Sequence, residues 1–365
     1  MSPVRLPARW RSRPPRLTPG GAVIAAAQLG RGQRGLEQAI FGTDDPDRIA
    51  GMVGRFCVRW LGAAVERYEF FSSAVQSVHG LRLADGRGVV VKVARRCAGD
   101  EAFLRAVQAV QAHLAAGGFP CPRPLLAPTA LQDGIAVVEE LQDRGVRADA
   151  HDRRTRRAMA GCLAEQVHLC RRFVGATALG PPLLATPPPD RLWPAPHDDR
   201  FDFAVRAAGA AWIDDLAAVA RARVVDDAGG RPVVAHSDWR AEHVRFARRE
   251  IVATYDWQSL AVGAEPALIG QIGHAFTIDL GIEQRRRRPT LGDYRGFVAD
   301  YESARGRRFT PEDRRTIDAS WVYAIAYGAR CEHADAAMGL PARTPDPAED
   351  SFAALLAHHG PELLR

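Results

Sequence analysis

The chain has 365 residues, enough for two domains, and its 47% apolar and 25% charged residues are the balance of an ordinary globular protein. It contains no apolar run of about 18 residues, which excludes a conventional membrane-spanning helix. The formal charge of +6 is concentrated at the start, where Arg5, Arg9, Arg11, Arg13 and Arg16 occur without an acid, so basicity belongs to the tail and nucleic acid is not expected as a partner.

In chain order, residues 1–30 read as a flexible basic arm. The segment AVIAAAQL at 22–29 imitates a signal peptide only weakly, because it is short, contains Gln28 and is followed by more arginine. With six cysteines, Cys57, Cys97, Cys121, Cys162, Cys170 and Cys331, in no CxxC or zinc-like spacing, the expected state is reduced thiols in a cytoplasmic protein. The start signal DDPD at 44–47 opens a helix with Ile49, Val53, Phe56, Trp60 and Leu61 on one face. Residues 68–94 then alternate like strands, broken at Ser72-Ser73 and at the turn Asp85-Gly86, which predicts three antiparallel strands. The third carries Lys92 inside the apolar run VVVKVA. Of 49 basic residues it is the only lysine: either a compact point charge kept where an arginine fork would not serve, or a chance survivor that snorkels to water.

A helix follows, with Phe103, Val107, Val110 and Leu114 at helical spacing and Gly117-Gly118 as its stop. Residues 119–128 read as an extended, proline-punctuated connector, and GIAVVEEL at 134–141 as another strand. Beyond it the chain turns mainly helical, with helices over 151–173 and 201–224, strand-like pieces at 233–246 and 251–260, and a proline-capped helix from Thr310-Pro311. The run Arg285 to Arg288 reads as a solvated loop.

Chemistry concentrates in HSDWRAEH at 236–243 and YDW at 255–257. Two carboxylates, Asp238 and Asp256, delivered by neighbouring strands can converge, one accepting a proton from a hydroxyl and the other holding a metal ion. With a strand lysine to neutralise phosphate oxygens, the parts needed for phosphoryl transfer are nearly complete.

The ordered set resembles the aminoglycoside phosphotransferase and choline kinase-like family, small-molecule relatives of protein kinases, over roughly residues 65–335. The family motif HxDxxxxN, followed by (I/V)DW or IDxG, is matched by His236-Ser-Asp238 through His243 and by Tyr255-Asp256-Trp257. The resemblance implies an α+β, bilobal protein kinase-like fold: an N-lobe of antiparallel sheet and helix over 31–141, and a larger, mainly helical C-lobe over 142–365. It implies transfer of a phosphoryl group from ATP or GTP, with magnesium or else manganese, to a hydroxyl of a small molecule such as an antibiotic, amino alcohol or sugar. The alternative is a kinase-like binding protein with weak or no catalysis.

By resemblance, Lys92 holds the nucleotide phosphates and Ser72 and Ser73 sit at the phosphate-covering turn. The hinge that binds adenine comprises Glu139, Glu140 and Leu141; Asp238 is the catalytic base, and Asp256 binds metal. His243 stands where the family has a metal-binding asparagine, which brings an imidazole into a site for hard cations. The lysine's usual helical glutamate partner is not identified, since Gln108 lies near that position and Glu101 lies about opposite the apolar stripe. Asp279, Glu283, Asp293, Asp300 and Glu302 are candidates either for an acidic substrate pocket or for a solvated helix face.

Overall fold

The computed structural model describes residues 18–29, 34–97, 99–196, 201–204, 207–226, 229–282, 286–342, 344 and 346–365. It divides into two compact units, one built from the described residues of Met1–Ala98 with Leu125–Leu141, the other from those of Gly99–Pro124 and Gln142–Arg365.

The first unit has three helices, α1 (Pro19–Leu29), α2 (Arg34–Phe41) and α3 (Pro46–Leu61), and five strands. The strands are β1 (Val65–Ser73), β2 (Ser77–Leu83), β3 (Gly88–Arg95), β4 (Pro124–Leu131) and β5 (Gly134–Glu140), in the antiparallel order β1-β2-β3-β5-β4. Asp45 caps α3 by accepting from the Arg48 amide, and Pro46 supplies the fixed φ of a first helical turn. Ile49, Val53, Phe56 and Cys57 are buried as the helical period requires, and they join Ile24, Ile40, Leu81, Val91 and Val138 in one core.

Three local expectations are corrected here. Residues 1–17 of the expected arm lie outside the described residues, but Pro19–Leu29 is a helix with Ile24 fully buried, since an alanine-rich apolar segment of that length can cover a sheet. Trp60 is 45% exposed at the end of α3, and Cys57 takes its place on the buried face. The proline connector contains a strand: Pro124 opens β4 at the sheet edge, the one place in a sheet where a missing N–H is harmless.

The second unit contains α4 (Asp100–Ala116), α5 (Arg153–Leu169), α6 (Ala211–Asp226), α7 (Glu265–Gly273), α8 (Leu291–Arg305), α9 (Pro311–Ala337) and α10 (Phe352–Leu363). Two short antiparallel ribbons accompany them, β6 (Pro232–His236) with β9 (Leu260–Ala264), and β7 (Val244–Ala247) with β8 (Glu250–Thr254). Thr290 and Thr310 close capping boxes on α8 and α9 with Asp293 and Asp313. The helix expected from residue 201 starts at Ala211; Phe201 and Phe203 are buried in irregular chain before it. The basic run is not a solvated loop, because Arg288 is buried and pairs with Glu332 at 2.8 Å; Arg285 lies outside the described residues.

Candidate active site

In the first unit, β3 presents Lys92 to β5. Lys92 is opposite Val137 and Val90 is opposite Glu139, so strand alternation puts Lys92 and Glu139 on one face. The Lys92 Nζ lies 2.6 Å from Glu139 Oε1, and both side chains are about one-tenth exposed. Ser72 and Ser73 end β1, paired with Val78 and Ser77 of β2, and residues 74–76 make the turn itself. Glu140 closes β5 opposite Val89, and the Leu141 amide donates to the Gly88 carbonyl at 3.0 Å, which commits that amide within the sheet.

In the second unit, β6 ends at His236 and releases the chain into the loop that carries Asp238. The loop is held on every side. The Ser237 amide and hydroxyl both donate to the Ser259 carbonyl, at 2.9 and 2.8 Å, while the Ala241 and Glu242 amides donate to the Phe276 and Ile278 carbonyls. Trp239 is buried and its indole N–H donates to the Met159 carbonyl at 3.1 Å. Gln166, fully buried on α5, accepts from the His236 amide and donates to the Val234 carbonyl. Buried Gln271 donates to the Ser237 carbonyl. Each bond satisfies a backbone group that would otherwise be costly to bury.

His236 is fully buried, and its Nε2–H donates to the Tyr255 carbonyl at 2.8 Å, which ties the Asp238 loop to the Asp256 segment. Burial first, and then the neighbouring His243, hold its pKa below the ordinary imidazole value, so it works as a neutral brace. Asp256 follows β8 with φ 61°, a left-handed conformation that aspartate tolerates better than most residues. The buried Trp257 anchors the following turn through an N–H bond to the Thr254 carbonyl at 3.1 Å. The Ser259 hydroxyl donates to Asp256 Oδ2 at 3.1 Å.

A turn at Ala241–His243 then returns His243 to both carboxylates. Its Nδ1–H donates to the Asp238 backbone carbonyl at 2.9 Å, and its Nε2 lies 4.0 Å from Asp256 Oδ2. Asp238, His243 and Asp256 each offer a ligand atom, and these atoms all lie within 4.8 Å of one another. Because the Nδ1–H is committed to the Asp238 carbonyl, Nε2 is the ring atom turned towards the acids and the one that could ligate a metal. Two carboxylates and an imidazole suit a divalent cation, and the nitrogen tilts the set from magnesium towards manganese.

Sequence reasoning missed Arg240. Its Nη2 donates to Asp238 Oδ2 at 2.9 Å and reaches Glu242 Oε1 at 2.8 Å, while its Nε lies 2.7 Å from Asp238 Oδ1 but out of line for a hydrogen bond. The available signal was the spacing Asp238-x-Arg240-x-Glu242, which sets a cation between two acids at short range along the chain. The acidic-pocket reading is also corrected. Asp279 pairs with Arg147, Asp293 bonds to His151 and the Thr290 cap, Asp300 meets Arg156 at 3.0 Å, and Glu302 meets Arg314 at 2.7 Å. These acids hold segments together; Glu283 lies outside the described residues.

The phosphotransferase enzyme family model matches residues 77–265, over half of the chain, and spans Lys92, Asp238, His243 and Asp256. The chain belongs to this family. No individually curated protein matches it. Among solved structures, the family member is similar to a macrolide 2'-phosphotransferase from Brachybacterium faecium, at 15% identity and TM-score 0.50, covering 80% of this chain and 99% of that one. An amicoumacin kinase in complex with AMP-PNP, Ca2+ and Ami aligns at 12% identity and TM-score 0.55, covering 86% and 92%. A Plasmodium vivax ethanolamine kinase aligns at 9% identity and TM-score 0.51, covering 80% and 82%. At these identities the likeness is one of fold: α+β and protein kinase-like, with a small antiparallel-sheet unit and a larger, mainly helical one. No helix among the described residues is long and apolar enough to cross a membrane.

Proposed function

We propose that this phosphotransferase moves the terminal phosphoryl group of ATP or GTP to a hydroxyl of a small molecule. The observation that carries the reading is the convergence of Asp238, His243 and Asp256 on one point from a loop braced by buried His236, Trp239 and Gln166. Asp238 accepts the proton of the acceptor hydroxyl as it attacks phosphorus. Asp256 and His243 Nε2 would hold the divalent cation, magnesium or manganese, which when bound would supply positive charge to the phosphate oxygens. Lys92 would neutralise nucleotide phosphate charge, and the end of β5 around Glu139, Glu140 and Leu141 would meet the base. Ser72 and Ser73 flank the turn that covers the phosphates.

Arg240 has a defined part in this chemistry. Its guanidinium keeps two neighbouring carboxylates, Asp238 and Glu242, in one small space without mutual repulsion. That contact aims the Asp238 carboxylate and leaves a cation beside the forming phosphorane-like charge.

The neighbours named a macrolide 2'-phosphotransferase, an amicoumacin kinase in complex with AMP-PNP, Ca2+ and Ami, and an ethanolamine kinase motivate the acceptor classes to test first. The test is ADP release from ATP with magnesium or manganese across a panel of antibiotics, amino alcohols and sugars. Release stimulated by one acceptor class supports the reading. A panel without stimulation, together with no nucleotide-dependent rise in melting temperature, would sink it.

A further inference from the structure

The geometry points to Glu139 as the positioning residue for Lys92, taking over from inside the sheet the task that a helical glutamate performs elsewhere; this rests on the phosphotransferase reading above. Lys92 is itself buried and shares its face of the sheet with the buried Val90 and Val137. An ammonium in such surroundings requires an opposite charge at hydrogen-bond range. Glu139 Oε1 provides one at 2.6 Å. The contact follows from register, because Val137 lies opposite Lys92 and Glu139 is the next residue of β5 on the same face.

The hydrogen-bonded sheet makes this partner different in kind. Both members are held by the ladder that joins β3 and β5, so their separation is fixed by backbone hydrogen bonds within one sheet. A glutamate on a separate helix can approach and withdraw with that helix, whereas a glutamate on the neighbouring strand cannot. On α4, Glu101 pairs instead with Arg105, at 2.7 Å. An ammonium has three donors; anchoring one on Glu139 fixes the directions in which the others present themselves to phosphate oxygens. In this role the Glu139 carboxylate acts through Lys92, separately from the part the β5 backbone takes in meeting the base.

Lys92 is the only lysine of the chain, so a sample labelled with 15N-lysine gives a single side-chain Nζ signal. The experiment records that signal, its exchange with water and the dissociation constant of AMP-PNP with manganese in wild type, Glu139→Gln and Glu139→Asp. It also records KM for ATP and kcat. A displaced signal, faster exchange, about tenfold weaker nucleotide binding and a rise in KM larger than the fall in kcat support the assignment, with partial recovery in Glu139→Asp. An unmoved Nζ signal in Glu139→Gln overturns the pairing. A moved signal with unchanged nucleotide binding overturns the positioning role. If wild type binds no nucleotide while the signal still moves, the phosphotransferase reading fails, the positioning role falls with it, and the ion pair alone stands. Should Glu139→Gln not fold, Glu139→Asp carries the test, since shortening the acid by one methylene displaces the same signal and weakens binding without removing the charge.

Discussion

His243 donates its Nδ1–H to the backbone carbonyl of Asp238, and this bond decides which face of the ring turns to Asp256. A carbonyl can only accept, so Nδ1 carries a proton and Nε2 is the ring atom turned to the second carboxylate. A residue read from sequence as an odd replacement for asparagine is thereby aimed as the proposed metal site requires. We expect His243→Ala to weaken manganese binding about tenfold or more, and His243→Asn to shift preference towards magnesium. Manganese titration followed by electron paramagnetic resonance checks both, and an unchanged affinity in His243→Ala removes this histidine from the metal site.

Arg240 lies between Asp238 and Glu242, largely shielded from water. Replacing it by glutamine leaves two carboxylates facing each other and unaims the one proposed as base. We expect turnover to fall about tenfold to a hundredfold while metal affinity is kept or rises, because a competing cation has gone. Steady-state kinetics with metal titration distinguishes this from simple unfolding, in which metal affinity falls as well.

Acid sensitivity follows from buried neutral histidines. Burial lowers His79 to about 3 and His274 to about 4, both from 6.5. Their stabilising contribution is complete above the unfolded value near 6.5, and it declines as pH falls from there towards those folded values, because the unfolded chain takes up protons first. We expect the melting temperature to drop between pH 7 and pH 5, and to drop less in His79→Leu, which removes one such group from beside Phe41, Tyr68 and Phe71. Parallel pH profiles for the two proteins would contradict this.

Gly270 lets α7 lie against α9. A methyl group there meets the Ser320 Cβ at 2.7 Å and the Trp321 backbone nitrogen at 3.0 Å, neither of which can swing aside. We expect Gly270→Ala to cost about 1–3 kcal/mol by overpacking, read as a lower denaturation midpoint.

Much of the fold was legible because period and punctuation agree. DDPD announced the cap of α3, Asp85-Gly86 the turn before β3, and Thr310-Pro311 the start of α9. The HSDWRAEH and YDW segments were legible as the carriers of the clustered acids. What sequence could not supply was register. The identity of the Lys92 partner depends on how β3 slides against β5, and nothing local to VVVKVA or VVEE fixes that offset. The same limit explains the acids of the second unit. Asp293 and Asp300 looked like a charged surface, but α8 lies against α5, where Arg156 and His151 meet them. Pro124 misled in the opposite direction, because a proline argues against a strand only if the strand is internal.

The central claim is that Asp238 acts on an acceptor hydroxyl beside a metal held by Asp256 and His243. Its most direct test is acceptor-stimulated ADP release measured in wild type, Asp238→Asn and Asp256→Asn, with AMP-PNP binding measured on the same samples. The account predicts at least about a hundredfold loss of turnover in Asp238→Asn with nucleotide binding retained, and loss of metal-dependent nucleotide binding in Asp256→Asn. Undiminished turnover in Asp238→Asn would contradict it.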